Sequence, residues 1–441
     1  MMIIKDYIKK LINACNNQEI TDVEVYYSNS GSTMINVVDN EVETFKISNN
    51  EGISVSGNYE GKNSVTYIEK FDDDAIMDAV INIKETALYN NKTKKCVKKN
   101  NSTIINIHEP FNADVNAVIE KLKTVSRKAS KIDKRIISVP ACEYYENNTK
   151  IMLLDDSGAE LVDSYSYTVG NISVVAQEND IKKNGYSFSI NKNFEDINYD
   201  KILIDAIDDA TGMINASPIE SGNYDVIIKN NVSANMFATF MTVFYADSIK
   251  KNASKFKDKI DTQVAIRSLN IIEDPLYQNG KINRTFDDEG TKTFKKYLIE
   301  NGVLKNVLRS KDYETSTGNA YRNSYRDNIS VSALNCYIEN GVKNTKDIVS
   351  SLEEGVMITN IDGLHAGMNT VTGDFSLIAN GYYIKDGKVI KPINQITVAG
   401  NFYDLLNSII DISEDVCTSD AYINFFESPS LLVKNLMIGG L

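Results

Sequence analysis

The chain has 441 residues, 42% of them hydrophobic and 24% charged, which predicts a folded protein with more than one domain. Its formal net charge of −13 argues against a nucleic-acid ligand, because an acidic surface repels phosphates. The five cysteines are scattered without a CxxC pair, so neither a disulfide framework nor a cysteine-rich zinc site is indicated. The longest apolar stretch, near 236–246, is far shorter than the about 20 residues that cross a bilayer. We therefore predict no membrane segment and a cytoplasmic location.

Hydrophobic periodicity in the first 90 residues predicts a helix, a set of strands and a second helix. The first helix spans 5–14, with an apolar face formed by Tyr7, Ile8, Leu11 and Ile12. Alternating apolar and polar residues then predict four short strands, at 23–28, 33–38, 42–48 and 52–59. Three consecutive aspartates, 72–74, predict the start of the second helix, which ends near Asn90.

A similar order of elements follows a predicted linker at 91–110, which is rich in Asn, Lys and Thr. Its basic run, 92–99, is interpreted as solvated linker, with a patch for an anionic partner as the alternative. Beyond it we predict helices at 113–131 and 199–214, and between them strands at 135–147, 150–155, 160–177 and 183–191. These patterns define an N-terminal α/β subdomain at 1–90 and a middle α/β subdomain at 111–218.

The remaining residues, 219–441, are predicted to form a mainly β C-terminal domain. A strand at 224–229 and a helix at 232–251 come first, and further strands are predicted at 297–308, 329–339, 355–361, 381–390 and 430–438. Two of these segments contain Asn-Gly or Asp-Gly, the strongest short hairpin signal. The predicted fold class is therefore α+β, with a mixed α/β N-terminal part and a β-rich C-terminal domain.

Residues for common catalytic mechanisms are sparse. The only two histidines are His108 and His365, so the HExxH pair of a zinc peptidase cannot form. The chain has no GxxxxGK[ST] loop, no GxGxxG after a strand and no GxSxG elbow, which argues against nucleotide-driven and serine-hydrolase chemistry. The acidic run 287–289 is interpreted as a turn, with a cation or substrate contact as the alternative.

Two glycine-bearing segments, 363–376 and 398–402, suit turns and the close approach of another backbone, as in peptide binding. In the first segment we predict six peptide-binding residues: His365, Gly367, Asn369, Gly373, Asp374 and Ser376. Two alternatives exist for His365. It is either a hydrogen-bonding residue of a turn or core, or part of an unrecognised hydrolase site with Asp374.

Several blocks in order resemble the TldD/PmbA family, formerly called modulators of DNA gyrase. They are DVEVYYSNSG (22–31), the segment from FDDEG to NVL (286–308), STGNAYR (316–322), the segment from GLHAGM to AGNF (363–402) and SPSLLVKNLMIGG (428–440). The resemblance covers most of the chain. It implies a cytosolic dimer, and a catalytic branch that holds zinc with an HExxxH helix and a cysteine near the C-terminus.

The stretch that corresponds to the zinc helix, 226–250, contains no His, Glu or Cys. Its apolar positions instead predict a packed helix face, formed by Val232, Met236, Phe240, Val243 and Phe244. Cys417 lies where the catalytic branch keeps its metal cysteine, but without histidine partners it is interpreted as an unrelated thiol. The resemblance therefore implies the PmbA/TldE branch, with no catalytic residue, cofactor or metal in this chain and zinc in a TldD-type partner.

The function implied by this resemblance is that of a heterodimer subunit. The chain would close a cavity with a TldD-type zinc subunit and hold unfolded or extended peptides while the partner cleaves them. The alternative is a homodimer, a non-enzymatic module that binds peptides or a protein, as the gyrase-modulator name suggests.

Overall fold

The structure, a computed structural model, describes residues 2–90, 102–313, 315–420 and 425–441. The N-terminal half contains α1 (Met2–Asn17), β1 (Thr21–Val38), β2 (Glu41–Tyr59), β3 (Lys62–Ile68), α2 (Asp73–Tyr89), β4 (Thr103–Asn106), α3 (Val115–Ser126), α4 (Ala129–Ile132), β5 (Ile136–Asp155), β6 (Glu160–Glu178), β7 (Ile181–Asn191) and α5 (Tyr199–Gly212). The predicted basic run at 92–99 lies outside the described residues.

The C-terminal half is richer in strands. It contains β8 (Gly222–Ile228), α6 (Asn230–Phe240), α7 (Ala246–Lys250), β9 (Ile271–Glu273), β10 (Lys296–Glu300), β11 (Val303–Leu304), β12 (Ala320–Tyr321), β13 (Ser330–Val331), β14 (Cys336–Ile338), α8 (Thr345–Ser350), β15 (Glu354–Asp362), α9 (Leu364–Gly367), β16 (Asp374–Lys385), β17 (Lys388–Asn401), α10 (Phe402–Ser408), β18 (Ile409–Thr418) and β19 (Phe426–Gly439). The α+β class is confirmed. Among the described helices, none is long and apolar enough to cross a membrane.

The N-terminal strands form one seven-stranded sheet, in the order β3-β2-β1-β5-β6-β4, with β7 also paired to β6. The antiparallel pair of β1 and β5 runs from Glu24 opposite Asp155 to Val37 opposite Cys142. It joins strands from the segments 1–90 and 111–218 into a single sheet. The described part of the predicted linker contributes β4, which runs parallel to the start of β6.

This sheet is covered on both faces, as the period-two alternation of side chains allows. On one face Val25 and Met152 pack with α1 and α2, and Ile172 packs with α3 and α5. On the other face Tyr26 and Leu153 pack against residues 286–325 of the C-terminal half. The N-terminal sheet is therefore a platform on which part of the C-terminal half lies.

The C-terminal strands close on themselves. Pairings run from β8 to β19, β17, β16, β15 and back to β8, so these five strands form a barrel. Strands β14, β9, β10 and β11 extend the sheet from β19. Helix α6 packs on β19, β18 and β15 and shares a buried apolar cluster with the barrel strands.

The strand boundaries differ from those predicted in the first 60 residues. In the structure the four predicted strands are joined in pairs to form two long strands, β1 and β2. The polar residues that separate the predicted strands within each pair remain hydrogen-bonded in the sheet. Ser30, for example, pairs with Asn50 on one side and Thr149 on the other. Hydrogen bonds to both neighbours satisfy the backbone there, so an apolar side chain is not needed to continue the strand.

The predicted helix at 232–251 is interrupted. Helix α6 ends at Phe240, a 3-10 turn covers Met241–Phe244, and α7 starts at Ala246. The backbone leaves the helix because Phe244 and Ala246 bond to Leu308 instead, with Leu308 N–H donating to Phe244 O at 2.8 Å. The predicted strand at 329–339 is also divided, since Asn335 adopts a left-handed backbone with φ of 44°.

Two charged clusters are buried in the C-terminal half. Lys296 and Glu273 form an ion pair whose side chains are 1% and 0% exposed, and Asn319 bonds to both. Arg284 donates to Asp288 at 2.7 Å and lies 3.9 Å from Asp163 of β6. The second cluster therefore connects the N-terminal sheet to the C-terminal half.

The run 287–289 forms a buried turn. The carboxylate of Asp287 accepts hydrogen bonds from the backbone N–H groups of Glu289, Thr291 and Ala320, at 2.8–3.1 Å. Burial nevertheless raises the pKa of Asp287 to about 7. The turn interpretation is confirmed, and the carboxyl group is placed to make stability depend on pH.

We expect Asp287 to make the fold less stable as the pH rises from about 4 to about 7. An acid whose pKa is higher in the folded state binds its proton more tightly there, so its stabilising contribution is present at low pH and is lost as the pH passes the raised value. Urea unfolding from pH 4 to 8 should show wild-type stability falling relative to Asp287→Asn. If the stabilities of the two proteins changed in parallel with pH, or if the wild type became more stable relative to the variant as the pH rises, the three N–H donors would outweigh burial in setting the pKa of Asp287.

Candidate functional site

Helix α6 is fixed at its start by polar contacts to β18 and β19. Asn230 N–H donates to Ser430 Oγ at 3.0 Å, and Asn230 Nδ2 donates to Asp415 Oδ2 at 3.0 Å. One turn later, the buried hydroxyls of Ser233 and Ser428 are 2.7 Å apart. These bonds position the helix directly after β8, the place where the family resemblance led us to expect the metal helix of the catalytic branch.

The apolar side of α6 is packed, as predicted. Val232, Met236 and Phe240 are each less than 4% exposed, and Val243 and Phe244 are buried beyond the end of the helix. The Phe240 ring stacks on Phe402 with centroids 4.4 Å apart. These side chains pack in the hydrophobic core, so few positions of the helix are available for a catalytic or metal-binding side chain.

The other side of α6 carries Asn235 and Thr239, which are half-buried. Asn235 Oδ1 accepts a hydrogen bond from the backbone N–H of Asp420 at 3.0 Å. Burial raises the pKa of Asp420, and the nearby His365 opposes that rise. The polar groups near this part of α6 thus include the amide of Asn235 and the hydroxyl of Thr239, with Asp420 bonded to Asn235 through its backbone and His365 near Asp420.

Cys417 lies on β18, opposite Ser428 of β19. Burial raises its thiol pKa to about 11, although Lys229 lowers it in part. A free thiol with so high a pKa is mostly protonated near neutral pH, which disfavours nucleophilic attack by Cys417. Among the described residues, no group of three or more His, Cys, Asp or Glu side chains is arranged to hold a metal ion.

Two of the six predicted peptide-binding residues, Asn369 and Gly373, lie in the turn between α9 and β16. Asn369 Oδ1 accepts from the N–H groups of Val371 and Thr372, at 3.0 and 3.1 Å. Gly373 has a left-handed backbone with φ of 85°, and its N–H donates to Asn369 O at 2.8 Å. Much of the polar capacity of these residues is used to build the turn itself.

The other four predicted residues flank this turn. Gly367 packs so closely on β16 that a Cβ would lie 2.3 Å from Ser376 O. Asp374 accepts a hydrogen bond from Asn401 Nδ2 at 2.7 Å, which lowers its pKa, while the exposed His365 is near Asp420. Ser376 is exposed on β16. The peptide-binding role of all six residues stays a prediction.

Several residues of this region were not predicted from the sequence. Asn235, Asp415 and Asp420 carry no motif or spacing that distinguishes them from surface polar residues. Asp415 and Asp420 reach α6 only because β18 runs beside it, about 180 residues later in the chain. No local signal could have identified them.

Three family models cover most of the chain and describe a class of metallopeptidase. Residues 23–87 match PmbA/TldA metallopeptidase domain 1, residues 108–214 the central domain and residues 221–440 the C-terminal domain. The chain belongs to the TldD/PmbA family.

Individual relatives agree with this assignment. A protein named metalloprotease PmbA homolog, from Buchnera aphidicola subsp. Baizongia pistaciae, is 24% identical over 359 residues, 79% of this chain and 76% of its own. The crystal structure of TldE from Thermococcus kodakarensis has a TM-score of 0.88 at 20% identity, covering 98% of this chain and 100% of that one. A Thermotoga maritima structure described as a modulator of a DNA gyrase also has a TM-score of 0.88, at 23% identity, and covers 99% and 100%.

The residues around α6 do not fit the zinc ion that the metallopeptidase name implies. Structural and catalytic zinc sites use Cys, His, Asp or Glu side chains, typically at least three converging on the ion. Here the less buried side of the helix carries Asn235 and Thr239, the carboxylate of Asp415 and the backbone of Asp420 hydrogen-bond to the helix, and His365 lies near Asp420. The donor set is therefore that of a hydrogen-bonding surface.

Proposed function

We propose that this chain is the metal-free, peptide-binding subunit of a two-subunit metalloprotease, paired with a TldD-type subunit that supplies the zinc. Its substrates are unfolded or extended peptides. The observation that carries the proposal is the composition of α6. In a chain that matches a metallopeptidase C-terminal domain, every side chain of this helix is apolar or is that of Asn, Ser or Thr, none of them a usual zinc ligand.

The N-terminal sheet offers a place to hold such a peptide. Strand β3 pairs with β2 only from Ile53 to Tyr59, so residues 41–50 of β2 pair with β1 alone in the described part of the chain. We name residues 41–50 the free edge of β2. Exposed backbone N–H and C=O groups along such an edge bind an extended chain in a manner independent of its sequence, whereas most of the backbone of a folded protein is already hydrogen-bonded.

The direct test is to assay the purified chain alone and together with a TldD-type zinc subunit. The substrate is a dye-labelled denatured protein, with its folded form as the matched control. We expect hydrolysis of the denatured form by the mixture, loss of that hydrolysis in a zinc chelator, and none by this chain alone. Equal hydrolysis by the isolated chain, retained in the chelator, would refute the proposal.

The free edge of β2 also supports a second function, a homodimeric binding module without peptidase activity. An unpaired edge strand can join the same strand of a second copy as readily as a peptide. Native mass spectrometry of the chain mixed with a TldD-type subunit separates the two. A heterodimer supports the first function, and a homodimer that persists in the mixture supports the second.

A further inference from the structure

The free edge of β2 carries three large apolar side chains that are partly exposed. The exposed fractions of Val42, Phe45 and Ile47 are 37%, 50% and 68%. By contrast, Val37 and Ile35, which lie opposite the first two on β1, are completely buried. In the part of the chain that the structure describes, the apolar layer on this face of the sheet therefore reaches the edge and is open to solvent there.

A β-bulge brings the three side chains to one face of the sheet. The register between β1 and β2 shifts by one residue at Glu43. Strict alternation would place Val42 and Phe45 on opposite faces, but the extra residue brings Val42 to the face that carries Phe45 and Ile47. The side chains of 44–48 that face the other way are polar: Thr44, Lys46 and Ser48. The edge therefore has one apolar face and one polar face.

We propose that the free edge of β2 selects unfolded peptides that have apolar residues at every second position. This inference rests on the proposed peptide-binding function and names the chemistry of the peptides that the chain prefers. A peptide that pairs with the edge becomes the next strand of the sheet, so its side chains alternate between the same two faces. Side chains directly opposite each other on neighbouring strands are about 4.5–5.5 Å apart at Cβ, so the peptide residues opposite Phe45 and Ile47 contact them directly.

The preference is a difference in the surface that the peptide buries. Apolar peptide residues opposite Phe45 and Ile47 remove apolar surface of both strands from water, which favours binding. A polar residue in the same position gains no such burial and loses part of its hydration. Alternation of apolar and polar residues is also the pattern of strands that bury one face in a folded protein. Such segments become accessible when a protein unfolds, so the preference directs the edge to unfolded chains.

A second copy of this chain fits the same edge less well than a peptide does. Its own β2 would bring the bulge at Glu43 to the pairing, so irregularities on both strands would interrupt the hydrogen bonding. The net charge of −13 on each chain also opposes their association. An unfolded peptide adjusts its backbone to the edge, and for this reason the peptide is the occupant that we assign.

The test compares three short amidated peptides that differ only in the placement of valine. Each is labelled with a fluorophore at the N-terminus and titrated with the full chain, and binding is followed by anisotropy. One form has valine at every second position among Ser, Thr and Lys, one has the same composition with the valines irregularly spaced, and one has Thr in place of every Val. We expect the alternating form to bind about tenfold more tightly than the other two, because only its valines all lie on the apolar face of the edge.

Variants of the sheet assign the preference to the free edge of β2. The double variant Phe45→Thr/Ile47→Thr is expected to bind all three forms with the affinity that the wild type has for the form without valine. Threonine has a high β propensity, so the strand itself is retained. The matched control, Val65→Thr/Tyr67→Thr, removes two exposed apolar side chains of β3 that lie on the opposite face of the sheet and should keep the full preference.

The results that overturn the inference are distinguishable from failure of the proposed function. If the wild type binds all three forms with equal affinity, peptide binding stands but the edge does not select apolar residues. If it binds none of them, the peptide-binding function fails together with this inference. Retention of the preference in Phe45→Thr/Ile47→Thr, or its loss in the β3 control, would place the preference elsewhere. A wild-type homodimer that Phe45→Thr/Ile47→Thr converts to a monomer in native mass spectrometry would make a second copy the occupant of the edge.

Discussion

Replacing Lys296 by methionine is expected to lower the free energy of unfolding by about 3–5 kcal/mol, because it leaves the buried carboxylate of Glu273 without its cation. Asn319 Nδ2 and the Leu334 N–H donate to that carboxylate at 3.0 and 3.2 Å, but neither carries a charge. Urea unfolding at pH 7 measures the loss.

The pH dependence of this variant provides a second check. Burial raises the pKa of Glu273, and Lys296 opposes that rise, so removal of Lys296 favours the protonated carboxyl group. A raised acid pKa in the folded state means that stability is retained at low pH and lost as the pH rises. The destabilisation should therefore be smaller at pH 5 than at pH 8.

A matched control is Lys305→Met. Lys305 pairs with Asp261 at 2.9 Å, but the two side chains are 38% and 70% exposed, so we expect a much smaller loss than in Lys296→Met. Equal losses for Lys296→Met and Lys305→Met would contradict the account of the buried pair.

Replacing Arg284 by methionine is expected to cost a similar amount, about 3–5 kcal/mol, and to weaken the contact between the N-terminal sheet and the C-terminal half. The guanidinium donates to Asp288 and lies near the rings of Phe286 and Tyr321, whose centroids are 5.6 and 5.4 Å away. Its removal leaves Asp288 buried without a cation, and Asp163 of the N-terminal sheet loses its nearest positive charge. Urea unfolding measures the total effect.

Hydrogen exchange locates the effect of Arg284→Met. Faster exchange is expected in 284–288 and at the start of β6, where Asp163 accepts hydrogen bonds from Thr285 N–H and Oγ1. The control is Arg135→Met, which removes a 2.6 Å pair with Asp133 within the N-terminal half, where the arginine is 40% exposed. Unchanged exchange at β6 in Arg284→Met would mean that the cluster does not join the two halves.

Local features of the fold were predictable from the sequence because they depend on neighbouring residues. Asp72 caps α2 by accepting a hydrogen bond from Ala75 N–H at 2.9 Å, as the acidic run indicated. The turns at Asn301-Gly302 and Asp386-Gly387 both have positive φ angles at each residue, as their dipeptides predicted. Each of these signals is complete within a few positions of the chain.

Long-range pairings could not be predicted in this way. The β1–β5 pairing joins residues more than 100 positions apart. Polar residues such as Ser30 and Asn147 remain in strands because the neighbouring strand pairs with them, which the local sequence does not indicate. The Lys296–Glu273 pair and the contact of Arg322 with Tyr26 likewise have no characteristic spacing. A charged residue that is buried in the fold has the same appearance in the sequence as one on the surface.

The candidate site also combines features that the sequence predicts with features that only the folded structure shows. The absence of His, Glu and Cys from 226–250 is a property of composition, so it could be established from the sequence. The groups that surround α6 instead, Asp415 and Asp420, become visible only after β18 is placed beside the helix.

The proposed function requires that this chain holds no zinc of its own. Elemental analysis after purification in zinc-supplemented buffer tests it most directly, with a TldD-type subunit treated in parallel as the positive control. We predict about one zinc per chain in the TldD-type subunit and a small fraction of that in this chain. About one tightly bound zinc per copy of the isolated chain would contradict the account.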